Sequence, residues 1–283
     1  MVGLSSLLIT MSGASCSRTL PPPYSSARLF RYGENAIYFI GHATTLIHLN
    51  GVTLLTDPIF SDKLALFSRK RAAGMALDRL PHLDAILISH SHRDHLDEWT
   101  LRRLPRDVPL FIPRGNGQYP RDWGHKNVRE LEAGDKVRLG SVEIIATPAK
   151  HSGARNSARD PLPHALGYLI RGAQTVYFAG DTALFEAMRQ IGRIAPIDLA
   201  LLPIGAYRPR WITKNYHMSP SEALQAMATL KAKKMIPIHW GSFRMAFDGI
   251  DEPRDMLVSL LKNDQRRGAI PILYNGERLL LGR

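Results

Sequence analysis

Three histidines and one aspartate stand within six residues, in the run His90-Ser91-His92-Arg93-Asp94-His95. The run directly follows the apolar segment 85–88. Imidazole nitrogens and carboxylate oxygens are typical ligands of Zn²⁺, at roughly 2.0–2.2 Å from the ion. Because such polar groups are costly to bury without a partner, the run predicts a site for a divalent metal ion.

The spacing within the run indicates how it would bind metal. In extended backbone, residues two apart point the same way, so His90 and His92 can reach one ion. Asp94 and His95 then turn toward a second position. A polar loop that carries histidines by chance is the alternative interpretation, but three imidazoles this close together favour the metal site. The only cysteine, Cys16, excludes a zinc site rich in thiolates.

The elements around the run would bring further ligands to it. His90, His151, Asp181 and His239 each stand just past the C-terminal end of a predicted apolar strand, and strand ends meet at a common edge of a layered sheet. Those strands are predicted at residues 85–88, 142–146, 175–179 and 235–238. Four strand ends that carry a metal-binding residue are hard to ascribe to chance.

The remaining pattern predicts a single α/β domain. A β-meander opens it near residue 36, with a hairpin at Asn50-Gly51, and a long irregular loop over 60–79 would form one wall of the substrate cleft. A capping box at Ser219 to Glu222 predicts a helix to about Lys231. Further helices are predicted at 97–104, 183–192 and 253–261, and closing strands at 270–273 and 279–281.

Length and charge bound the function. The chain has 283 residues, of which 45% are hydrophobic, a size that suits one enzyme-sized unit. Its net charge of +12 favours anionic partners such as phosphate esters or an acidic membrane surface. Nucleic acid is an improbable partner, because the basic residues are scattered without interleaved aromatic residues. A basic surface that serves only solubility is the alternative.

The N-terminus resembles a bacterial lipoprotein signal. Residues 1–16 are predicted as a leader in which Cys16 would be lipidated and anchored in the cell envelope, 17–28 as a linker, and 29–283 as the globular domain. The leader lacks a basic start, and Gly13 stands where Leu is usual. A cytoplasmic protein with an irregular N-terminus, or a misplaced start codon, is therefore the alternative.

With these motifs in place, the sequence resembles the metallo-β-lactamase superfamily, and within it the branch of N-acylphosphatidylethanolamine-hydrolysing phospholipases D. The segments that carry the narrower resemblance lie outside the histidine run or at its end: residues 40–44 (IGHAT), 56–61 (TDPIFS), 95–97 (HLD), 203–207 (PIGAY), 209–211 (PRW) and 238–241 (IHWG). The similarity extends over roughly residues 36–250. It implies a four-layer αββα sandwich that holds two Zn²⁺ ions, or other divalent metals.

The resemblance also implies the ligand set. It assigns His90, His92 and His151 to the first ion, Asp94, His95 and His239 to the second, and Asp181 to both as a bridge. Paired cations lower the pKa of a shared water and stabilise charge on a phosphoryl or carbonyl oxygen. The expected reaction is hydrolysis of a phosphodiester, such as an N-acylphosphatidylethanolamine-like phospholipid, with Asp94, Asp181 and His217 as catalytic residues.

Two other functions fit the same ligands. A lactonase or amidase would use the metals at carbon instead of phosphorus, since ligands alone do not separate these reactions. A non-enzymatic envelope protein would keep the site as a vestige.

Residues near the ligands have both a functional and a structural interpretation. Asp57 is expected to accept a hydrogen bond from a metal-bound imidazole, or else to shape an Asp-Pro turn. His42 is expected at the floor of the cleft, or as a structural histidine. The resemblance places His217 near the scissile phosphate, the alternative being a surface residue before a helix. Tyr207, Arg210 and Trp211 would form the phosphate-side wall, or pack as ordinary surface residues.

Overall fold

The computed structural model describes residues 29–31, 33–153, 155 and 165–282. The predicted leader with Cys16 and the linker lie outside the described residues. The strands are β1 Asn35–Gly41, β2 Thr44–Leu49, β3 Val52–Thr56, β4 Lys63–Leu64, β5 Phe67–Ser68, β6 Ala85–Leu87, β7 Leu110–Pro113, β8 Val128–Leu131, β9 Lys136–Leu139, β10 Val142–Pro148, β11 Leu166–Arg171, β12 Thr175–Phe178, β13 Leu199–Pro203, β14 Lys234–Ile238 and β15 Arg278–Leu281.

The described residues form fewer helices than strands. They are α1 Glu98–Leu101, α2 Gln118–Asp122, α3 Met188–Ile194, α4 Arg210–Thr213, α5 Pro220–Leu230 and α6 Glu252–Leu260, with 3₁₀ turns at Leu77–Arg79 and Gln265–Ala269. In the described part of the chain, no helix has both the length and the apolar character needed to cross a bilayer.

Two mixed sheets form the body of the protein. The first has seven strands in the order β15-β1-β2-β3-β6-β7-β8, and the second has six in the order β14-β13-β12-β11-β10-β9. Within the first sheet, β3, β6, β7 and β8 run parallel to one another. In the second, β12, β13 and β14 do the same. Parallel strands bring their C-terminal ends to one edge of a sheet. The predicted ligands come after such strand ends and therefore lie at that edge.

The layers follow from the alternation of side chains along the strands. In β1, Ile37 and Phe39 belong to an apolar cluster shared by both sheets, which includes Ile144 and Phe178 of the second sheet. Side chains on the other face of β1, such as Tyr38, pack in a second cluster with residues around α1 and α2. A third cluster joins the outer face of the second sheet to α3, α5 and α6. Three apolar interfaces separate four layers, so the predicted αββα sandwich is confirmed.

Two local predictions were wrong. The segment 270–273 is not a strand, because Pro271 has no N–H to donate to a ladder; Ile270 instead packs in the helical cluster on the second sheet. The helix predicted from residue 183 begins only at Met188. The backbone before it is tied to the neighbouring loop, where Ala183 N donates to Lys150 O and Lys150 N donates to the Thr182 hydroxyl.

The helix predicted from the capping box is present with that geometry. The Ser219 hydroxyl accepts from Glu222 N, and the Glu222 carboxylate accepts from Ser219 N. The loop predicted over 60–79 contains a small hairpin of β4 and β5. This hairpin stands beside the edge of the sheets where the predicted ligands meet, because Leu64 and Phe67 line a cavity together with His92 and His239.

Candidate metal centre

All seven predicted ligands lie together at one edge of the sandwich. They come from loops that follow β6, β10, β12 and β14. Their atoms form two adjoining groups: His90, His92 and His151 in one, and Asp94, His95 and His239 in the other, with Asp181 against the second.

The first group consists of three imidazoles that converge on a common point. His92 Nδ1 lies 3.0 Å from His90 Nε2 and 3.1 Å from His151 Nε2. The outer nitrogens of two of these rings are held by neighbours: His90 Nδ1 lies 3.0 Å from the Ser89 hydroxyl, and His151 Nδ1 donates to the Tyr216 carbonyl at 2.9 Å. Such contacts fix the ring orientation and the tautomer of a ligand imidazole.

The second group mixes imidazoles with carboxylates. Asp181 Oδ2 lies 3.3 Å from His95 Nε2 and 3.2 Å from His239 Nε2. Asp94 Oδ2 lies 3.4 Å from His95 Nε2, 3.3 Å from His239 Nε2 and 3.0 Å from His42 Nε2. Fully buried carboxylates and imidazoles at these separations form one electrostatic unit.

Asp57 contacts this unit from behind. His95 Nδ1 donates to Asp57 Oδ2 at 2.7 Å, so the imidazole presents its other nitrogen to the group. Asp57 also accepts from the backbone N and the hydroxyl of Ser89, at 2.7 and 2.6 Å. Through Ser89, one buried carboxylate braces a ring in each of the two groups.

His42 is buried and belongs to the second group, where its Nε2 lies 3.0 Å from Asp94 Oδ2. Its ring stands 4.1 Å from that of His239, and its backbone carbonyl accepts from His239 N at 2.8 Å. Both residues have a positive φ of 59°, a strained conformation for side chains of this size, which is common at functional sites.

Two glycines allow the loops to approach closely. A Cβ on Gly180 would stand 2.3 Å from Ser89 Cβ, and φ there is +58°, so only glycine fits immediately before Asp181. A Cβ on Gly205 would stand 2.0 Å from the backbone O of His239. The glycine in the PIGAY segment thus leaves room for the loop that carries a ligand.

The two groups differ in electrostatics. Burial, followed by the charges of His95 and His151, lowers the pKa of His90 well below its usual value, and burial lowers the pKa of His151 to about 3. In the second group burial lowers the pKa values of His95 and His239, but the carboxylates of Asp181 and Asp94 outweigh it. They raise the pKa of His95 well above its usual value and that of His239 to about 9. The lowered pKa values favour neutral imidazoles in the first group, and the raised ones favour charged imidazole–carboxylate pairs in the second.

The donor set fits divalent cations. In the described residues, several buried polar atoms of the site have no hydrogen-bond partner, among them His95 Nε2, Asp181 Oδ1 and His217 Nδ1. Unpartnered buried polar atoms are rare in native proteins and call for an explanation such as an ion. Neutral imidazoles that converge, together with buried carboxylates, are what Zn²⁺ and related metals bind.

A cavity of roughly 410 Å³ opens in front of the centre. Its polar side includes His92, Asp94, Asp181, His239 and His217. His217 Nδ1 lies 3.6 Å from Asp181 Oδ2, and burial lowers the pKa of His217 to about 4. His217 is therefore inside the site, next to the Asp181 carboxylate, and not on the open surface.

The predicted phosphate-side wall does not line this cavity. The Tyr207 hydroxyl donates to Glu252 at 2.8 Å. The Arg210 guanidinium forms two hydrogen bonds to the Glu222 carboxylate, at 2.7 and 2.8 Å, and Arg210 Nη1 donates to the His217 carbonyl at 2.9 Å. Trp211 is 78% exposed. In these contacts Arg210 holds the backbone of His217, and the predicted substrate contacts of all three stay predictions.

Sequence reasoning missed several residues that shape the site. Ser89 and Tyr216 orient ligands through a hydroxyl and a backbone carbonyl, and neither group has a distinctive spacing. On the apolar side of the cavity, Leu64 and Phe67 come from the loop predicted as one wall of the cleft, whereas Met245 was not predicted. The position of Ser89 directly before the ligand His90 was the one available signal for it.

Comparisons with known proteins agree with this geometry. Residues 53–240 match the family described as the Beta-lactamase superfamily domain. The N-acyl-phosphatidylethanolamine-hydrolyzing phospholipase D 1 of Caenorhabditis elegans is 34% identical over 266 residues, covering 86% of this chain and 74% of that protein. A metal-dependent hydrolase of Caldivirga maquilingensis is 31% identical over 225 residues, covering 78% and 89%.

Solved structures show the same fold. A metallo hydrolase from the archaeon Ignicoccus hospitalis superimposes with a TM-score of 0.67 at 23% identity, covering 88% of this chain and 99% of that one.

Proposed function

The chain belongs to the metallo-β-lactamase superfamily and is a metal-dependent hydrolase, and we propose that it is a zinc phosphodiesterase of phospholipase D type. The substrate class is N-acylphosphatidylethanolamine-like phospholipids or related phosphodiesters. The observation that carries the proposal is the pair of adjoining His/Asp groups with His217 beside the shared Asp181. The 34% identity to the C. elegans phospholipase over most of both chains supports the choice of substrate class.

Different residues would bind metal and contact substrate. His90, His92 and His151 would hold one cation, and Asp94, His95 and His239 the other, with Asp181 between them. Cations held in this way lower the pKa of a bound water and offset negative charge on phosphate oxygens. The chain's own contribution is to keep the ligand rings oriented, through Asp57, Ser89 and the Tyr216 carbonyl.

His217 would act on the substrate rather than on metal. It lines the cavity, and its carbonyl is held by Arg210, which is itself fixed by Glu222. A positioned imidazole can donate a hydrogen bond to a phosphate oxygen or a proton to the leaving group. Arg210 is a positioning residue in this account.

The rim of the cavity suits a substrate with long apolar chains. Leu66, at the tip of the β4–β5 hairpin, is 91% exposed, and Phe247 is 76% exposed. Their chain neighbours Phe67 and Ala246 line the cavity, so both exposed residues are next in the chain to its lining. Exposed apolar side chains clustered at the mouth of a site favour contact with lipid or another apolar partner.

A substrate screen with zinc-loaded protein tests the proposal. We expect hydrolysis of N-acylphosphatidylethanolamine and of bis(p-nitrophenyl) phosphate, with release of phosphatidic acid from the former. Lactones and aryl amides serve as the comparison, because the same ligands support chemistry at carbon. Faster turnover of a lactone or an amide than of any phosphodiester would replace the proposal with a lactonase or amidase.

A cell-envelope location is part of the proposal. It is supported by the uncharged apolar leader before Cys16 and the Pro-rich segment after it. Membrane fractionation of cells that express the full chain, with Cys16→Ser as the comparison, tests it. Full-length cytoplasmic protein in both cases would contradict an anchor at Cys16.

A further inference from the structure

A second cavity, of roughly 360 Å³, adjoins the one in front of the metal centre. The two share four lining residues: Leu64, Ala65, Arg93 and Arg155. The shared wall means that a group bound in the second cavity would stand beside a substrate in the first. We call the second cavity the basic pocket.

The basic pocket is lined by five cationic side chains and two acidic ones. The cations are Lys63, Arg93, Arg102, Arg103 and Arg155, and the acids are Asp97 and Glu98. Both acids are already engaged: Asp97 caps α1, where it accepts from Thr100, and Glu98 pairs with Arg102 at 2.9 Å. The pocket therefore keeps an excess of positive charge, which a concave wall focuses.

Two of the cations lack a partner in the described part of the chain. Among the residues that the structure describes, the side chains of Lys63 and Arg93 form neither an ion pair nor a hydrogen bond. Arg93 is also exposed, although it stands between two predicted ligands, His92 and Asp94. A guanidinium and an ammonium that converge on one cavity without partners are suited to bind an oxyanion.

The other cations are held in fixed positions. Arg103 stacks on Trp99 at 4.0 Å from the ring centroid and donates to the Trp99 carbonyl. Arg155 Nη1 donates to the Leu96 carbonyl at 2.6 Å, and its guanidinium lies 5.0 Å from the Trp123 ring. Cations that are positioned before binding lose less freedom when an anion arrives.

We propose that the basic pocket is a second anion site, which binds the oxyanion of a phosphate ester next to the scissile phosphodiester. Two sources share this chemistry: the headgroup of an acidic lipid in a bilayer, and a free phosphate ester. The β4–β5 hairpin connects both cavities to a surface, since Lys63 lines the basic pocket, Phe67 lines the metal cavity and Leu66 is exposed at its tip. The inference deepens the proposed function and takes its substrate class from it.

The test compares two double variants that lose the same charge. Lys63→Gln/Arg93→Gln removes the unpaired cations of the pocket, and Lys136→Gln/Arg138→Gln removes two exposed cations of β9 that line neither cavity. Binding of metal-loaded protein is measured by co-sedimentation with vesicles of phosphatidylglycerol and phosphatidylcholine, and by calorimetric titration with glycerol 3-phosphate. Lys63→Gln alone serves as a variant that does not touch the histidine run.

We expect the pocket variant to weaken binding about five- to tenfold more than the β9 variant, because a partly exposed charged contact contributes about that much. If the pocket variant binds more weakly than the β9 variant only to vesicles, the bound oxyanion belongs to an acidic lipid headgroup. If it also binds glycerol 3-phosphate more weakly, the pocket accepts the oxyanion of a lipid or of a free phosphate ester. Equal losses in the two variants on both probes would overturn the proposal and leave a diffuse basic surface.

Both measurements need no turnover. Failure of phosphodiester hydrolysis with pocket-dependent binding intact would contradict the proposed function only, and the reverse result would contradict this inference only.

Discussion

The ligand cluster and the rim of the cavity are held in opposite ways. In the cluster, four of the predicted ligands have a further contact that fixes them: Ser89 for His90, His42 for Asp94, Asp57 for His95 and the Tyr216 carbonyl for His151. At the rim, Leu66 and Phe247 are exposed on loops. Fixed ligands suit the chemistry of a metal centre, and an exposed apolar rim suits the lipid substrate of the proposed function.

The largest effect should come from breaking the cluster itself. Asp181→Asn removes a buried carboxylate that lies 3.2–3.3 Å from two imidazoles, and we expect loss of bound metal and a fall in kcat/KM of about 10³-fold or more. His92→Ala should do the same, because its Nδ1 is the point where the first group converges. Metal content by mass spectrometry and hydrolysis of bis(p-nitrophenyl) phosphate are measured together.

Asp198→Asn, which removes a carboxylate that accepts from Thr175 N at the start of a strand, is the control and should keep metal and activity. Near-normal turnover with full metal content in Asp181→Asn would show that the ligand assignment is wrong.

His217→Ala tests a residue of the cavity that is not a predicted ligand. We expect both metals to remain while kcat falls roughly 10²–10⁴-fold, the usual contribution of one acid, base or electrostatic group. A proton donor is needed less when the leaving group is nitrophenolate, so the loss should be smaller for that ester than for an alkyl ester. Equal losses on both esters would assign His217 to charge stabilisation, and full activity on both would return it to a structural role.

Asp57→Asn weakens the support of the cluster without removing a ligand. The carboxylate braces His95 directly and His90 through Ser89, and loss of such a partner costs about 10- to 100-fold in metal affinity or activity. The metal affinity is measured by competition with a chromogenic chelator. Asp84→Asn, whose carboxylate accepts from Thr53 N in the same sheet, is the control, and equal affinity in the two variants would mean that Asp57 only shapes its turn.

The smallest effect should come from the rim. Leu66→Ser with Phe247→Ser should raise KM for a vesicle-borne phospholipid about three- to tenfold, since the two exposed side chains together contribute on the order of 1 kcal/mol when they partly enter an apolar phase. Turnover of soluble bis(p-nitrophenyl) phosphate should be unaffected. Ile194→Ser removes an exposed apolar side chain that does not line the cavity and should change neither activity. If all three proteins hydrolyse vesicle substrate alike, the rim has no part in lipid binding.

The same contrast explains what could be predicted from the sequence. The run from His90 to His95 and the strand-end positions of His151, Asp181 and His239 are visible because metal ligands are few in type and strands deliver them to one edge. The four layers were predicted from the resemblance to the metallo-β-lactamase superfamily, and the structure confirms them. The ligands are recognisable from residue type and local spacing alone, because His and Asp are the usual metal-binding side chains.

The rest depends on contacts between distant segments. Tyr207 ends the PIGAY segment and Arg210 follows it in the chain, but nothing local shows that Glu252 and Glu222 engage them. The basic pocket brings Lys63 of a short hairpin beside Arg155, which is far away in the chain. Residue type alone does not tell a cation that binds substrate from one that pairs within the protein, because the partner is chosen by the tertiary fold.

The central claim is a metal-dependent reaction at the buried cluster, and metal stoichiometry tests it most directly. Purified protein is analysed for metal, stripped with a chelator and reloaded with zinc, while phosphodiester hydrolysis is followed at each stage. The account predicts two zinc ions per chain at full activity, and activity that is lost with the metal and restored with it. Asp181→Asn should have little activity at the start and should not gain any when zinc is added. Full activity in protein that has been shown to hold no metal ion would contradict it.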